Sequence, residues 1–124
     1  MKTKLLLLLC VALVTLGGCA KPVPKDWTPT SGSRADATVK MSYWYDPTSE
    51  IPQTNEQQAL ELAKKRCASW GYSDVEAFGG VMESCTQWVA GFGGPMCIKM
   101  VVTKEYQCIG RGDAEVSNNA PAKK

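Results

Sequence analysis

No histidine occurs in the 124 residues. That removes the side chain most often used for proton transfer and nucleophile activation near neutral pH. Close cysteine pairs are missing as well. Cys67, Cys85, Cys97 and Cys108 are separated by 18, 12 and 11 residues, with no C-x-x-C anywhere. Zinc sites and redox dithiols both use such pairs. No apolar run reaches the roughly 20 residues that a spanning helix needs. Excess charge of one sign is absent too. Without Lys2 and Lys4 the chain carries 12 basic and 12 acidic side chains, so nothing drives binding to nucleic acid. The one basic cluster, Lys64-Lys65-Arg66, reads as a solvated helix face. These gaps predict no metal, no catalytic cofactor, no nucleic-acid partner and no enzyme. Asp74 and Glu76 could flank a glycosidic bond, since carboxylates about 5–10 Å apart suffice. They fall, however, on what reads as an edge strand in a domain too small for a deep cleft.

What is present begins with residues 1–18. Lys2 and Lys4 precede an apolar run from Leu5 to Leu16, and Leu16-Gly17-Gly18-Cys19 closes it. A charged start, a short apolar stretch and a small-residue exit make an export signal. An A-x-A-like cut site is absent, and Cys10 is preceded by Leu7-Leu8-Leu9 instead of small residues. The exit resembles the lipobox of bacterial lipoproteins. That resemblance implies a diacylglyceryl group on the Cys19 thiol, cleavage just before Cys19 and acylation of the new amine. The protein is then moored on a membrane without crossing it, because two or three chains exceed the marginal single-chain case. Ala20 stands where an aspartate signals inner-membrane retention, so the same resemblance implies the inner leaflet of the outer membrane, facing the periplasm. The lipid on Cys19 is the one cofactor-like group expected.

Residues 19–37 include KPVPKDWTPTSGSRADA, with three prolines and no apolar period. They read as a flexible tether of about 25 Å average span, with Trp27 its single bulky residue. Residues 111–124 read as a polar, loose tail. The folded unit is then residues 38–110, a size that seldom holds itself closed by burial alone. Four cysteines in a small exported unit predict two disulfides.

Local pattern suggests their pairing. Thr54 and Gln57 have capping-box spacing, and Leu60, Ala63, Cys67 and Trp70 recur at helical intervals up to Gly71. This predicts a helix over 55–69. Alternation predicts strands at 38–45, 72–78, 81–89 and 97–108, the last two joined by a turn over 91–95. Even positions of that hairpin (Met82, Trp88, Ile98, Met100, Val102, Tyr106, Cys108) form the expected core face. Odd positions, Cys85 and Cys97 among them, form the outward face. Cys67 on the helix stripe then meets Cys108, and Cys85 meets Cys97. The fold class is α+β, one helix packed on a small antiparallel sheet of three to four strands, with two disulfides.

The stretch ALELAKKRCASWGYSDVEAFGG, then Cys85, Cys97 and EYQCIG, is similar to the YecR-like lipoproteins of enteric bacteria. The resemblance covers roughly Ala59 to Gly110 together with the lipobox. Its most specific parts are Cys67 before Trp70-Gly71-Tyr72, Phe78-Gly79-Gly80 and Tyr106-Gln107-Cys108. It implies a single small lipoprotein domain linked to the flagellar regulon, and it carries over no catalytic residue. The expected function is an accessory or structural envelope protein acting through a protein partner. The alternative is a periplasmic module for peptidoglycan or another glycan, stacking on Tyr43, Trp44 or Trp88. Arg111-Gly112-Asp113 reads as a chance tripeptide, and Gly91-Phe92-Gly93-Gly94 as a hairpin turn, not a phosphate loop.

Overall fold

A computed structural model describes Gly18 and residues 20–111. The expected signal segment (but for Gly18), the expected lipidation site Cys19 and the expected tail beyond Arg111 lie outside these residues. In chain order come β1 (Lys21–Lys25), β2 (Thr28–Ser33), β3 (Thr38–Tyr45), β4 (Glu50–Thr54), α1 (Glu56–Ala68), β5 (Tyr72–Gly91) and β6 (Gly94–Arg111). An antiparallel sheet has the order β2-β3-β6-β5, and β1 pairs with β4 in parallel. The α+β reading with one helix holds among the described residues, but a second, two-stranded sheet joins the expected one.

Helix α1 is capped by Asn55, not Thr54. The Asn55 side-chain oxygen accepts from the backbone N–H groups of Gln57 and Gln58, satisfying two donors of the first turn. The helix then buries Ala59, Ala63 and Cys67, spaced four apart, so its inner stripe is made of small side chains. Opposite them lie Val39 and Met41 of β3, Val102, Tyr106 and Cys108 of β6, and Val75 of β5.

The expected tether is structured. Its Pro22 and Pro24 alternate along β1, which has only one neighbour. Their missing N–H groups therefore fall on the unpaired side, where proline is tolerated in a strand. Trp27 is 2% exposed and meets Tyr43 edge-on at 4.7 Å. Its backbone N–H donates to Gln58 Oε1 (3.0 Å), and Gln58 Nε2 donates back to its carbonyl (3.4 Å). Only the indole N–H stays buried without a partner. In β2, Gly32 leaves room for the Trp70 ring: a Cβ there would lie 3.0 Å from the ring and 2.8 Å from the Thr38 carbonyl oxygen. The folded unit thus begins at Lys21, and not at residue 38.

Both expected disulfides form, Cys67–Cys108 and Cys85–Cys97. The second forms with the parity of β5 opposite to that expected. The hairpin turns on two residues, Phe92-Gly93, with Gly91 opposite Gly94, so odd residues of β5 face even residues of β6. Met82 therefore pairs with Thr103 and is exposed, whereas Glu83 pairs with Val102. Trp88 is exposed too. Cys85 and Cys97 meet because register shifts on both sides of Gln87 bend the strands locally. The strands expected at 72–78 and 81–89 are one strand, with Gly79-Gly80 as an extra pair opposite the step from Glu105 to Lys104.

The two bridges close segments of 41 and 12 residues. Chain entropy assigns about 4 kcal/mol to the longer and about 3 to the shorter, against a typical net stability of about 5–15. Replacing Cys67 and Cys108 together by alanine is expected to leave a chain marginal or unfolded at 37 °C by circular dichroism. The Cys85/Cys97 double variant is expected to stay folded with a lower urea midpoint. The reverse order would contradict this account.

Alkaline pH provides a second check. Burial pushes the phenols of Tyr43 and Tyr106 up, and a hydrogen bond to Glu56 holds the Lys104 ammonium up. All three bind their proton more tightly in the folded state. Their stabilisation is complete below unfolded values of about 10 and is lost as pH rises through the folded ones. Urea midpoints are expected to fall from about pH 10 upward. A flat profile to pH 11 would disprove the assignment.

Candidate functional site

Strand β3 is eight residues long and covers β6 only between Met100 and Gln107. Past Cys85 and Met100 the β5–β6 hairpin continues alone as a two-stranded ribbon, about 20 Å long at strand rise, to its Phe92-Gly93 turn. The turn is tight: a Cβ on Gly91 would sit 2.9 Å from the Gly94 carbonyl oxygen, and Gly94 has φ of 124°. A free two-stranded ribbon is marginal in water. Cys85–Cys97 ties this one at its root, where the third strand ends. From Ser84 to Ile98 there is no charged residue. Trp88, Val89 and Met96 are exposed on the ribbon, and Phe92 is fully exposed at its tip.

Trp44 stands beside the root of the ribbon. Lys25 Nζ lies 4.7 Å and Lys99 Nζ 5.0 Å from the centre of its ring, and Lys25 also pairs with Glu50 at 2.8 Å. Cations at these distances are attracted to the indole face. Tyr43, on the opposite face of β3, is partly buried against Trp27 and Tyr45. Tyr43, Trp44 and Trp88 thus occupy the helix side, the back of the sheet and the ribbon, and they do not make one platform.

A second group of exposed apolar side chains escaped the sequence pattern. Phe78, Val81 and Met82 are each more than half exposed beside Gly79-Gly80, on β5 at the edge of the sheet. Paired glycines inside an alternating strand were the available signal, since they mark a bulge as readily as a stop.

Asp46, Glu50 and Asp74 belong to local hydrogen bonds and ion pairs. Thr48 hydroxyl and backbone donors hold Asp46 below its ordinary range, and a hydrogen bond from Lys25 does the same for Glu50. Asp74 is lowered first by the Val75 backbone N–H and then by Lys64 at 3.3 Å. A general acid working near neutral pH needs the opposite shift. Asp74 and Glu76 flank buried Val75, so both lie on the outward side of the edge strand. Among the described residues no three His, Cys, Asp or Glu side chains gather as a metal-holding group. No described helix is long and apolar enough to cross a membrane.

No curated protein matches the chain. The family described as YecR-like lipoprotein matches residues 26–109, a span that holds Trp27, strands β2 to β4, the helix, both disulfides and the whole ribbon. The chain therefore belongs to the YecR-like lipoprotein family and is a membrane-anchored protein of the cell envelope.

Proposed function

We propose that this protein is a non-catalytic accessory lipoprotein that captures a protein partner along the outer edge of β5. In this reading the lipid on Cys19 holds it at the inner leaflet of the outer membrane, facing the periplasm. The partner is an envelope protein, flagellum-associated as the sequence resemblance implies. The observation that carries the proposal is the exposure of Phe78, Val81 and Met82 on a strand with one open side. An open strand offers backbone donors and acceptors on either side of the Gly79-Gly80 bulge, and side chains beside it supply selectivity, which suits an extended segment of another chain. The lowered carboxylates and the lack of histidine support a role in binding over one in catalysis.

Glycan binding is the second reading, favoured by the exposure of Trp44 and Trp88. Against it, two lysines already occupy the Trp44 ring. One experiment separates the readings. A photo-crosslinking residue at position 78 or 82 is expected to yield a discrete protein adduct in intact cells. Val81→Lys with Met82→Lys should abolish that adduct while the urea stability changes by less than about 1 kcal/mol, as surface substitutions do. Absence of any adduct, with retention on peptidoglycan that Trp44→Ala removes, would replace this reading with the glycan one.

A further inference from the structure

We infer that the β5–β6 ribbon is a second membrane contact, its tip seated in the interfacial layer of the leaflet that holds the lipid anchor. The inference rests on the lipidation of Cys19 proposed above and adds to it a surface of the folded domain. The occupant is the bilayer itself. Three observations carry it.

The first is the short distance from anchor to fold. Cys19 precedes Lys21, the first residue of β1, by two positions, which is at most about 7 Å of chain. A domain moored this closely rests against the bilayer instead of swinging from it. The second is which end is moored. The Lys21 backbone N–H donates to the Ser49 carbonyl, in the turn that follows Tyr45 at the end of β3. Tyr45 is paired with Met100, and Met100 with Cys85, the point where the ribbon leaves the sheet. The amino end and the ribbon therefore leave from the same end of the sheet. Exposed Ile51 on β4 is there as well, paired with Pro22 of β1.

The third observation is composition along the ribbon. Its tip bears Phe92, with Val89 and Met96 one step back, then Trp88, all uncharged from Ser84 to Ile98. At its root come Lys99, Lys25 and Trp44 in contact. Apolar tip, tryptophan and then lysine is the order met on passing from acyl chains through headgroups to water. Depth is limited by the ribbon's own backbone. Two open edges carry unpaired N–H and C=O groups that hydrocarbon cannot satisfy, so entry stops at the interfacial layer, within about 10 Å.

The test uses the purified full-length lipidated protein, reconstituted in phosphatidylethanolamine–phosphatidylglycerol vesicles whose acyl chains are brominated. Mass measurement of the amino-terminal peptide first establishes the lipid on Cys19. If that peptide carries no lipid, the anchor reading fails and this inference with it. With lipid present, brominated chains are expected to quench a part of the tryptophan emission that Trp88→Phe removes and that Phe92→Asp greatly reduces. Both positions are exposed, and circular dichroism checks that each variant keeps its fold. Quenching that is identical in wild type, Trp88→Phe and Phe92→Asp overturns the ribbon contact while leaving the anchor intact. A photo-crosslinker at position 92 that captures a protein and no lipid in cells overturns it too, in favour of a protein docking arm.

Discussion

The bond between Cys67 and Cys108 joins the only described helix to the strand at the heart of the sheet, and the remaining packing follows from it. Helix α1 buries two alanines and a cysteine, side chains that remove little apolar area from water. Small residues let the helix approach the sheet closely, but they supply little to hold it there. The disulfide meets that shortfall from within the core, since both sulfurs are shielded from solvent. With the helix fixed, Gln58 reaches Trp27 and clamps its backbone with two hydrogen bonds. Trp27 in turn closes over Tyr43. The amino-terminal segment is thus pinned through the helix, and the helix through one bond.

The two faces of the sheet are held differently. The helix face is apolar, from Val39 and Met41 across to Val102 and Tyr106. Behind it, Ser42 is the buried polar residue, and its hydroxyl meets those of Thr30 and Thr103 at 2.9 Å each. This row of hydroxyls links β2, β3 and β6 and leaves no unpaired group at Ser42, as burial requires. The back of the sheet is therefore hydrogen-bonded at its centre, with exposed Trp44 beside that row and exposed Met82, paired with Thr103, toward the β5 edge. That contrast explains why alternation in β3 was easy to read: one side of the strand is apolar and the other is not.

Legibility followed the strength of local rules. The helix was visible because four apolar positions recur at its period, although Asn55 and not Thr54 caps it. Strand β3 fell on residues 38–45 as expected, because it is flanked by turns and buried on one side. Cys67 and Cys108 were placed by periodicity on facing stripes, and they bond. The pairing of Cys85 with Cys97 was reached by a parity that the two-residue Phe92-Gly93 turn reverses, and it holds because of bends around Gln87 that spacing does not reveal. Strands β1 and β2 were hidden for another reason. Proline signals a loop in any strand with two neighbours, and only tertiary context shows that β1 has one. The burial of Trp27 was equally nonlocal, since its partners Gln58 and Tyr43 lie 31 and 16 positions away.

The ribbon is where fold and function part company. A sheet whose third strand has eight residues needs only the matching length of β5 and β6, yet those strands have 20 and 18. At one end the surplus carries Val75 and Cys108 into the core, but past Cys85 and Met100 it adds nothing to it: there Trp88, Phe92 and Met96 face solvent instead of the helix. Left free in water, an uncharged ribbon with open edges is a template for aggregation. A disulfide at its root makes it stiffer without covering any of that surface. Folding energetics therefore give no reason to keep it, whereas contact with something outside the domain does. With the lipid proposed on Cys19, two residues before the fold starts, the nearest apolar phase to that surplus would be the membrane.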